Sequence, residues 1–383
     1  MMFSLSGLWR VRFGQRLGML GLVLLLAACA GGPDKPQPAA LSPNAALINV
    51  RLAWSARIGP VHFPLEVAVS GTSVTVAGSD GSVATIDASS GAEQWRASVG
   101  AEIGGGVGSD GRYASVVTRG NDLVMLDRGR EVWREKLGAV SFTAPLVAGE
   151  RVFVMTADRV VSAYDARSGR RLWSYARQGD FPLALRQSSV MLAVGDTLVV
   201  GISGRLVGIN PSTGTLRWES PIANSRGTND VERLVDLVGR VSRDGNVVCA
   251  RAFQAAIGCV DASSGKLLWS RPAAGADGIH GDNQLVFGTE SDGRVIALRR
   301  GNGEPAWTSD RLKFRGLTAP LTVGRSVAVG DATGLVHFLS RQDGSLLTRM
   351  STDGSAIMAA PVVAGNTVVV VTQSGGVFGF RPD

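Results

Sequence analysis

Short runs of apolar residues, in which apolar and polar positions often alternate, follow one another along most of the chain. A clear unit begins at residues 145–149 (PLVAG) and continues through the runs 151–155 (RVFVM) and 160–165 (VVSAYD). Its last run ends at Trp173, directly after a Ser-Gly turn. Alternation with a period of two, bounded by Gly, Asp and Ser, is typical of antiparallel strands joined by tight turns. No long stretch shows the 3.6-residue period of a helix, so the pattern predicts an all-β fold.

The closing segment of this unit recurs along the chain as a small polar residue, Gly, three further residues and Trp. Its copies end at Trp95, Trp173, Trp218, Trp269 and Trp307, a degenerate copy ends at Trp133, and Gly344-Ser-Leu-Leu-Thr348 keeps the turn without the tryptophan. From Trp54, which begins the series, to Thr348, successive copies are 38 to 51 residues apart. Repeats of about 40–45 residues with four short strands each are typical of β-propeller blades.

The number of blades follows from the strands that are left over at the two ends of the repeat. Seven units end in a fourth strand, whereas residues 361–381 supply only three strands. The strand around Trp54 has no upstream partner, and pairing it with the last three strands would close the ring without an open edge. We therefore predict an eight-bladed β-propeller of four-stranded antiparallel blades over residues 51–383.

The repeated tryptophans and the turns before them have structural interpretations. A large apolar ring at the same position of each blade is expected to fill the space between neighbouring sheets. The D-x-x-[ST]-G segments are predicted to be turns, because Asp accepts hydrogen bonds from main-chain N–H groups two residues on and Gly adopts positive φ. A calcium loop would need alternating acidic ligands, which these segments do not have.

The composition agrees with many short strands and turns. The chain contains 50 glycines among 383 residues, and 45% of its residues are hydrophobic. The formal net charge is +7, but three arginines lie in the first 28 residues, which contain no acid. The remaining chain has 36 basic and 32 acidic residues, for a net charge of +4, and contains no long run of Lys and Arg. We therefore predict no nucleic-acid partner.

The N-terminus resembles a lipoprotein export signal. A basic segment from Arg10 to Arg16 precedes twelve apolar residues, 17–28, which are too few to span a membrane and suit a secretory signal peptide. An ordinary signal peptide is the alternative, but Leu26-Ala27-Ala28-Cys29 has the form of a lipobox. We predict a signal peptide over 1–28, an acylated (palmitoylated) Cys29 and a flexible tether over 29–50. Ala30 follows the cysteine, and by resemblance to other lipoproteins this implies sorting to the outer membrane, facing the periplasm.

The sequence offers few groups for catalysis or metal binding. The three histidines fall in different repeat units and have no metal-ligand spacing, and no G-x-S-x-G motif occurs. Residues 106–111 match G-x-G-x-x-G, but a strand and not a helix is predicted to follow, so this segment is interpreted as a turn. We predict no catalytic residue, no metal and no cofactor.

Two cysteines remain after Cys29. Cys249 and Cys259 lie in a predicted hairpin, where a three-residue turn centred on Gln254 would place them opposite each other and a two-residue turn would place them on opposite faces. Because the periplasm is oxidising, we predict a disulfide between them. The alternative is two small buried side chains.

The D-x-x-[ST]-G-x-x-x-W repeat resembles that of the quinoprotein propellers, which include dehydrogenases that use pyrroloquinoline quinone. The alternative function is therefore a periplasmic quinone-dependent dehydrogenase. Those enzymes characteristically have adjacent cysteines near the cofactor and an acidic calcium site, and this chain has no Cys-Cys pair.

The lipobox, short tether, eight blades and chain length together resemble the BamB family, the propeller lipoproteins of the β-barrel assembly (BAM) machinery. The resemblance implies a non-catalytic scaffold that assists the folding and insertion of outer-membrane protein precursors. Two irregular segments, residues 181–189 (FPLALRQSS) and 229–236 (NDVERLVD), carry the match further.

In that family, an L-x-L-R loop and a neighbouring [DE]-R-L-x-D-x-D loop form the surface that contacts BamA at one of its POTRA domains. Exposed leucines supply apolar area and a guanidinium supplies directional hydrogen bonds, which suits an interface. Val238 stands where the family pattern has a second acid. A blade loop packed on its neighbour is the alternative interpretation. By resemblance, the BamA-binding residues are Leu183, Leu185, Arg186 and Asp236.

Overall fold

The chain from residue 39 onward folds into a ring of eight four-stranded antiparallel sheets. The structure is a computed structural model, and it describes residues 36–177, 184–224 and 235–382. Within these ranges the chain has no helix with the length and apolarity that crossing a bilayer requires. The predicted eight-bladed β-propeller is confirmed.

The strands are short and follow one another with few residues between them. The first eight are β1 (Val50–Arg57), β2 (Ala68–Ser70), β3 (Ser73–Ala77), β4 (Ser82–Asp87), β5 (Glu93–Ser98), β6 (Ile103–Ser109), β7 (Tyr113–Thr118) and β8 (Asp122–Asp127). The next eight are β9 (Arg130–Lys136), β10 (Leu146–Ala148), β11 (Arg151–Met155), β12 (Val160–Asp165), β13 (Arg171–Ala176), β14 (Met191–Val194), β15 (Thr197–Ile202) and β16 (Arg205–Ile209). They are followed by β17 (Leu216–Pro221), β18 (Leu237–Asp244), β19 (Val247–Ala252), β20 (Ala256–Asp261), β21 (Lys266–Pro272), β22 (Ile279–Gly281), β23 (Leu285–Thr289) and β24 (Val295–Arg299). The last eight are β25 (Pro305–Ser309), β26 (Leu321–Val323), β27 (Ser326–Gly330), β28 (Leu335–Ser340), β29 (Leu346–Ser351), β30 (Val362–Ala364), β31 (Thr367–Val371) and β32 (Gly376–Pro382).

Blade 1 consists of β2–β5, and each later blade takes the next four strands up to blade 7, which is β26–β29. The first strands of neighbouring blades contact one another around the ring, so they are the inner strands. Because each blade has four antiparallel strands, every connection from an outer strand to the next inner strand lies on the same face of the ring. We call this face the crossover face.

Blade 8 is completed by the two ends of the propeller. β1 pairs antiparallel with β32, with Trp54 opposite Gly379, and the sheet continues through β31 to β30. This is the closure predicted from the leftover strands. Without β1, blade 8 would have only three strands and the edge of β32 would be unpaired, which would be a site for aggregation.

The core lies in the two middle strands of the blades, where sheets stack face to face. In β3, for example, Val74 and Val76 are fully buried, and all six residues of β15 are buried. The outer strands are more polar and more exposed, as in β9, where six of the seven residues are exposed. The near-continuous apolar runs of the middle strands follow from burial on both faces by neighbouring blades.

The blade tryptophans fill the space between sheets, as predicted, and each contacts the turn glycine of the next blade. A Cβ atom added at Gly265 of blade 5 would lie 2.6 Å from the side chain of Trp218 in blade 4, and Gly265 has a φ of 73°. Only glycine fits such a position without strain. Six tryptophans also donate their Nε1–H to a main-chain carbonyl of the next blade at 2.7 to 3.0 Å: Trp54, Trp133, Trp173, Trp218, Trp269 and Trp307.

The G-x-G-x-x-G segment is not a turn over its whole length, which corrects the sequence interpretation. Residues 106–109 belong to the inner strand β6, and only the residues after Ser109 form the turn to β7. A Cβ atom added at Gly108 would lie 1.7 Å from the carbonyl oxygen of Pro145 in blade 3. Glycine is therefore required there because the main chain of the next blade passes so close.

Part of the predicted tether lies against the propeller. In the segment before β1, Leu47 N–H donates to the carbonyl of Leu347 at 2.8 Å, and Asn44 Oδ1 accepts from Arg349 N–H at 3.1 Å. These contacts run along β29, the outer strand of blade 7. The predicted signal peptide, residues 1–28, and Cys29 lie outside the described residues.

A disulfide joins Cys249 in β19 to Cys259 in β20. The two residues are directly opposite in the strand register, and both side chains are fully buried. Ala252 pairs with Ala256, so the turn has three residues centred on Gln254. Of the two turns considered from the sequence, the structure has the one that allows the bond.

Candidate partner-binding site

The predicted partner-binding residues lie on the crossover face where blades 3, 4 and 5 meet. Leu185 and Arg186 are in the connection from β13 to β14, and Asp236 directly precedes β18. These segments are 50 residues apart in the sequence, yet their main chains and side chains are in contact. Leu183 and the residues 229–234 lie outside the described residues.

Asp236 holds the two segments together. Its Oδ2 accepts a hydrogen bond from the Leu185 N–H at 3.0 Å, and its Oδ1 accepts one from Arg159 Nη2 at 2.8 Å. The side chains of Arg159 and Asp236 are only 9% and 13% exposed. The carboxylate is therefore mostly turned inward, where it fixes the position of Leu185 through charge-assisted hydrogen bonds.

Leu185 and Arg186 have different environments. Leu185 is half-buried and, together with Met155 and Val238, lines a small cavity of about 40 Å³. The Arg186 side chain is exposed, and its guanidinium carbon lies 5.6 Å from the centre of the Phe142 ring. Such a cation–π contact limits the orientations of an arginine while leaving its N–H donors available to a partner.

Val238, which replaces the second acid of the family pattern, is 2% exposed. It lies in the inner strand β18, two residues after Asp236. At this position a buried apolar side chain contributes to packing beneath the loop and adds no charge to the surface.

The loop is also anchored at its other end. Ser189 donates its hydroxyl to the carbonyl of Leu237 at 2.8 Å, and Ser189 N–H donates to Thr143 Oγ1 at 3.1 Å. The Ser188 hydroxyl donates to Glu66 Oε1. Contacts to blades 1, 3 and 5 thus position the segment that carries Leu185 and Arg186.

A half-buried polar cluster at the centre of the ring extends from this loop and was not predicted from the sequence. Glu66, Ser188 and Arg240 line a central cavity of about 750 Å³, and Arg240 Nη1 donates to the carbonyl of Pro361. Burial raises the pKa of Glu66, against the effects of the Ser188 hydrogen bond and the Arg240 charge. Burial also lowers the pKa of Arg240, to about 10. No local motif marks these residues, because they come from distant repeats and meet only when the ring closes.

The three histidines lie in three separate places, so they do not form a common site. His62 lines the central cavity, whereas His280 Nδ1 accepts a hydrogen bond from Thr322 N–H at 3.0 Å. His337 Nε2 lies 2.9 Å from Asp331 Oδ2 in blade 7. Among the described residues, no group of three or more His, Cys, Asp or Glu side chains is placed to hold a metal ion.

The family profile and the similar proteins that match this chain carry the same description. A family profile described as "Outer membrane protein assembly factor BamB" matches residues 79–309. Proteins with the same description from Burkholderia pseudomallei and Bordetella pertussis are 39% and 36% identical to this chain. The matches cover 97% of this chain and 98% of the first protein, and 92% of this chain and 93% of the second.

Among solved structures, a BamB protein is more similar to this chain than a dehydrogenase that has the same type of fold. The crystal structure of BamB from Moraxella catarrhalis has a TM-score of 0.78 and 26% sequence identity, and the match covers 87% of this chain and all of that one. A quinohemoprotein alcohol dehydrogenase from Comamonas testosteroni has a TM-score of 0.67 but only 15% identity, over 90% of this chain and 79% of that one. The second likeness shows a shared propeller fold and nothing more. With relatives of 36 to 39% identity over nearly its whole length, the chain belongs to the BamB family.

Proposed function

We propose that this chain is a non-catalytic scaffold of the BAM machinery, anchored to the outer membrane by Cys29 and bound to a POTRA domain of BamA. Its role is to assist the folding and insertion of outer-membrane proteins. The observation that carries the proposal is the loop of Leu185 and Arg186, which Asp236 holds in place on the crossover face.

The family assignment supports the assembly role. The relatives that match nearly the whole chain are described as outer membrane protein assembly factors. None of these descriptions refers to a reaction, and a scaffold needs binding surfaces instead of a catalytic centre.

The geometry of the loop supports a binding role. Binding costs less conformational entropy when the contacting side chains are already fixed in the free protein. Here the Leu185 main chain is tied to Asp236, and Arg186 lies over Phe142 with its guanidinium exposed. A leucine beside an ordered arginine provides the apolar and directional contacts that dominate many interfaces.

Incoming barrel precursors are the second class of partner in this proposal. The outer strands of the blades, such as β9, have mostly exposed side chains and one edge without a neighbour in the blade. An extended precursor segment could pair with such an edge by β-augmentation.

The partner site is tested by measuring affinity for the purified periplasmic region of BamA. We expect Leu185→Ala and Arg186→Ala each to weaken binding by about tenfold, which corresponds to ~1.4 kcal/mol. The matched controls are Leu216→Ala and Arg325→Ala, which alter exposed residues in blades 4 and 7. Unchanged affinity in both site variants would show that the loop is not the interface.

The dehydrogenase alternative has a separate test. Purified protein is mixed with pyrroloquinoline quinone and Ca²⁺, and cofactor binding and dye-linked alcohol oxidation are measured. We expect neither. Stoichiometric quinone binding together with dye reduction would overturn the scaffold assignment.

A further inference from the structure

We propose that the loop of residues 310–316, here called the Phe314 loop, contacts the phospholipid surface of the membrane. This inference rests on the proposed lipid anchor at Cys29 but goes beyond it, since it assigns a membrane contact to the propeller itself. The Phe314 loop connects β25 of blade 6 to β26 of blade 7 and lies on the crossover face.

Phe314 is held in an unfavourable conformation with its ring in solvent. Its side chain is 42% exposed, and among the described residues it is the only aromatic one in the set of exposed large apolar side chains. Its φ is 57°, a value that bulky residues rarely adopt. A strained residue that exposes apolar area is a reason to look for a binding role.

The surrounding main chain fixes this conformation. Phe314 N–H donates to the carbonyl of Asp292 at 2.9 Å. A Cβ atom added at Gly293 would lie 2.6 Å from the Phe314 nitrogen, so the neighbouring turn packs directly on the loop. The ring is therefore presented by a supported loop.

The N-terminal segment meets the propeller at this same loop. Ala39 N–H donates to the carbonyl of Lys313 at 2.9 Å, and Arg315 Nη1 donates to the carbonyl of Ala39 at 3.1 Å. Arg315 is in turn fixed by Asp331, whose Oδ2 accepts from Arg315 Nε at 2.8 Å. The two residues that flank Phe314 in the sequence thus hold Ala39.

The length of the intervening chain keeps the Phe314 loop close to the bilayer. Cys29 and Ala39 are ten positions apart, and a fully extended chain of that length spans at most about 35 Å. If the acyl chains of Cys29 lie in the membrane, Ala39 and the Phe314 loop that holds it lie within about 35 Å of the lipid surface.

The charges beside the ring favour a lipid partner over an apolar protein pocket. Arg311 is exposed and Lys313 is half-exposed, whereas Asp310 is the only acid in the loop. The nearby Asp292 carboxylate is paired with Arg294 at 2.7 Å. Aromatic rings combined with cations suit the headgroup region of a bilayer that contains anionic phospholipids.

The location agrees with the proposed partner site. The Phe314 loop and the connection that carries Leu185 and Arg186 lie on the same face of the ring, the first between blades 6 and 7 and the second between blades 3 and 4. A barrel protein with a periplasmic domain next to the membrane could contact one loop while lipid contacts the other.

The test measures the depth of residue 314 in vesicles. Acylated full-length protein carrying Phe314→Cys is labelled with a nitroxide and reconstituted in phosphatidylethanolamine–phosphatidylglycerol vesicles. The collision rates of the label with oxygen and with a water-soluble nickel complex are then compared. We expect an oxygen-to-nickel ratio several-fold higher at position 314 than for the control Leu216→Cys, which is exposed in blade 4. We also expect Arg311→Glu with Lys313→Glu to reduce that ratio.

Three outcomes would overturn the inference. Equal ratios at positions 314 and 216 in protein that floats with the vesicles would refute the loop contact and leave the anchor intact. Failure of the acylated protein to float would refute both. Protection of position 314 only when the periplasmic region of BamA is added would assign the Phe314 loop to a protein partner. If Phe314→Cys does not fold, a label at Arg311→Cys gives the same reading.

Discussion

The Asp236 carboxylate makes its hydrogen bonds within the protein, so it differs from a free surface charge. Its two carboxylate oxygens are occupied by Leu185 N–H and Arg159 Nη2 within the free protein. In the proposed partner site its role is therefore to position Leu185 and Arg186, which lie nearer the solvent.

The positioning role predicts a specific effect of truncating this carboxylate. Asp236→Ala removes the acceptor of the Leu185 N–H, and we expect affinity for the BamA periplasmic region to fall by about five- to tenfold. Amide hydrogen exchange at Leu185 should become faster in the protein without partner. Asp236→Asn, which keeps one acceptor oxygen, is the control and should lose less. If Leu185 exchange is unchanged in Asp236→Ala, the carboxylate does not position the loop.

A second prediction at the residue scale concerns His280. Burial, followed by the positive charges of Arg240 and Arg300, lowers the pKa of His280 from 6.5 to about 3. The unfolded chain therefore takes up this proton near pH 6.5, before the folded protein does. The stabilising contribution is complete above pH 6.5 and is lost progressively as the pH falls towards 3. His280→Gln should flatten the dependence of the urea midpoint on pH between 7.5 and 4.5. An equal decrease in wild type and variant would contradict this assignment.

The sequence could identify some of these residues but not their contacts. Leu185, Arg186 and Asp236 were found because they match a short family pattern. The hydrogen bond from Leu185 N–H to Asp236 depends on how two loops, 51 residues apart, come together. Glu66 and Ser188 are separated by 122 residues and belong to no motif, so only the closed ring reveals them.

At the scale of strands and turns, the repeat motif joins one blade to the next. The Gly and the Trp of one motif copy do not contact each other across the ring interface: Gly265 packs on Trp218 of the preceding blade, and Trp269 packs on Gly303 of the following one. This copy thus provides the Gly side of one interface and the Trp side of the next. The sequence predicted that tryptophans lie between blades, but a repeat cannot show which copy is the partner.

This interface predicts a large difference between two glycine substitutions. Gly265→Ala introduces a Cβ atom 2.6 Å from Trp218 at a φ of 73°, and we expect the free energy of unfolding to fall by about 2–4 kcal/mol. Gly245→Ala is the matched control, because Gly245 has a φ of 55° and nothing within 4 Å of the added atom. It should lose only about 1 kcal/mol. Denaturant unfolding followed by tryptophan fluorescence measures both values. Equal losses would mean that the indole moves aside without cost.

The predictions for strands were accurate where the pattern was regular and weaker where blades approach each other closely. Residues 106–109 were interpreted as part of a turn because a strand, and not a helix, was predicted to follow the G-x-G-x-x-G match. They form part of the inner strand β6 instead. Glycine occurs at position 108 because the Pro145 carbonyl leaves no room for a side chain there. Close approach by a distant segment thus gave a strand the composition of a turn.

At the scale of the whole molecule, the ring is closed by its first strand, and the chain before it continues on the outside of blade 7. The closure could be predicted because one strand was left over at the start and one was missing at the end. The contacts of residues 39–48 could not, because this segment has no periodicity. They bring the N-terminal segment to the Phe314 loop, which is the basis for placing the membrane near this side of the propeller.

The proposed scaffold function also belongs to the whole molecule, since the proposal combines a partner site and a lipid anchor in one protein. The most direct test is affinity capture of the tagged, acylated full-length protein from detergent-solubilised outer membranes, with the bound proteins identified by mass spectrometry. We predict that a β-barrel protein with POTRA domains is recovered with the wild type and is strongly reduced with the Leu185→Ala, Arg186→Ala double variant. Recovery of no such protein with the wild type, or equal recovery with the variant, would contradict the account.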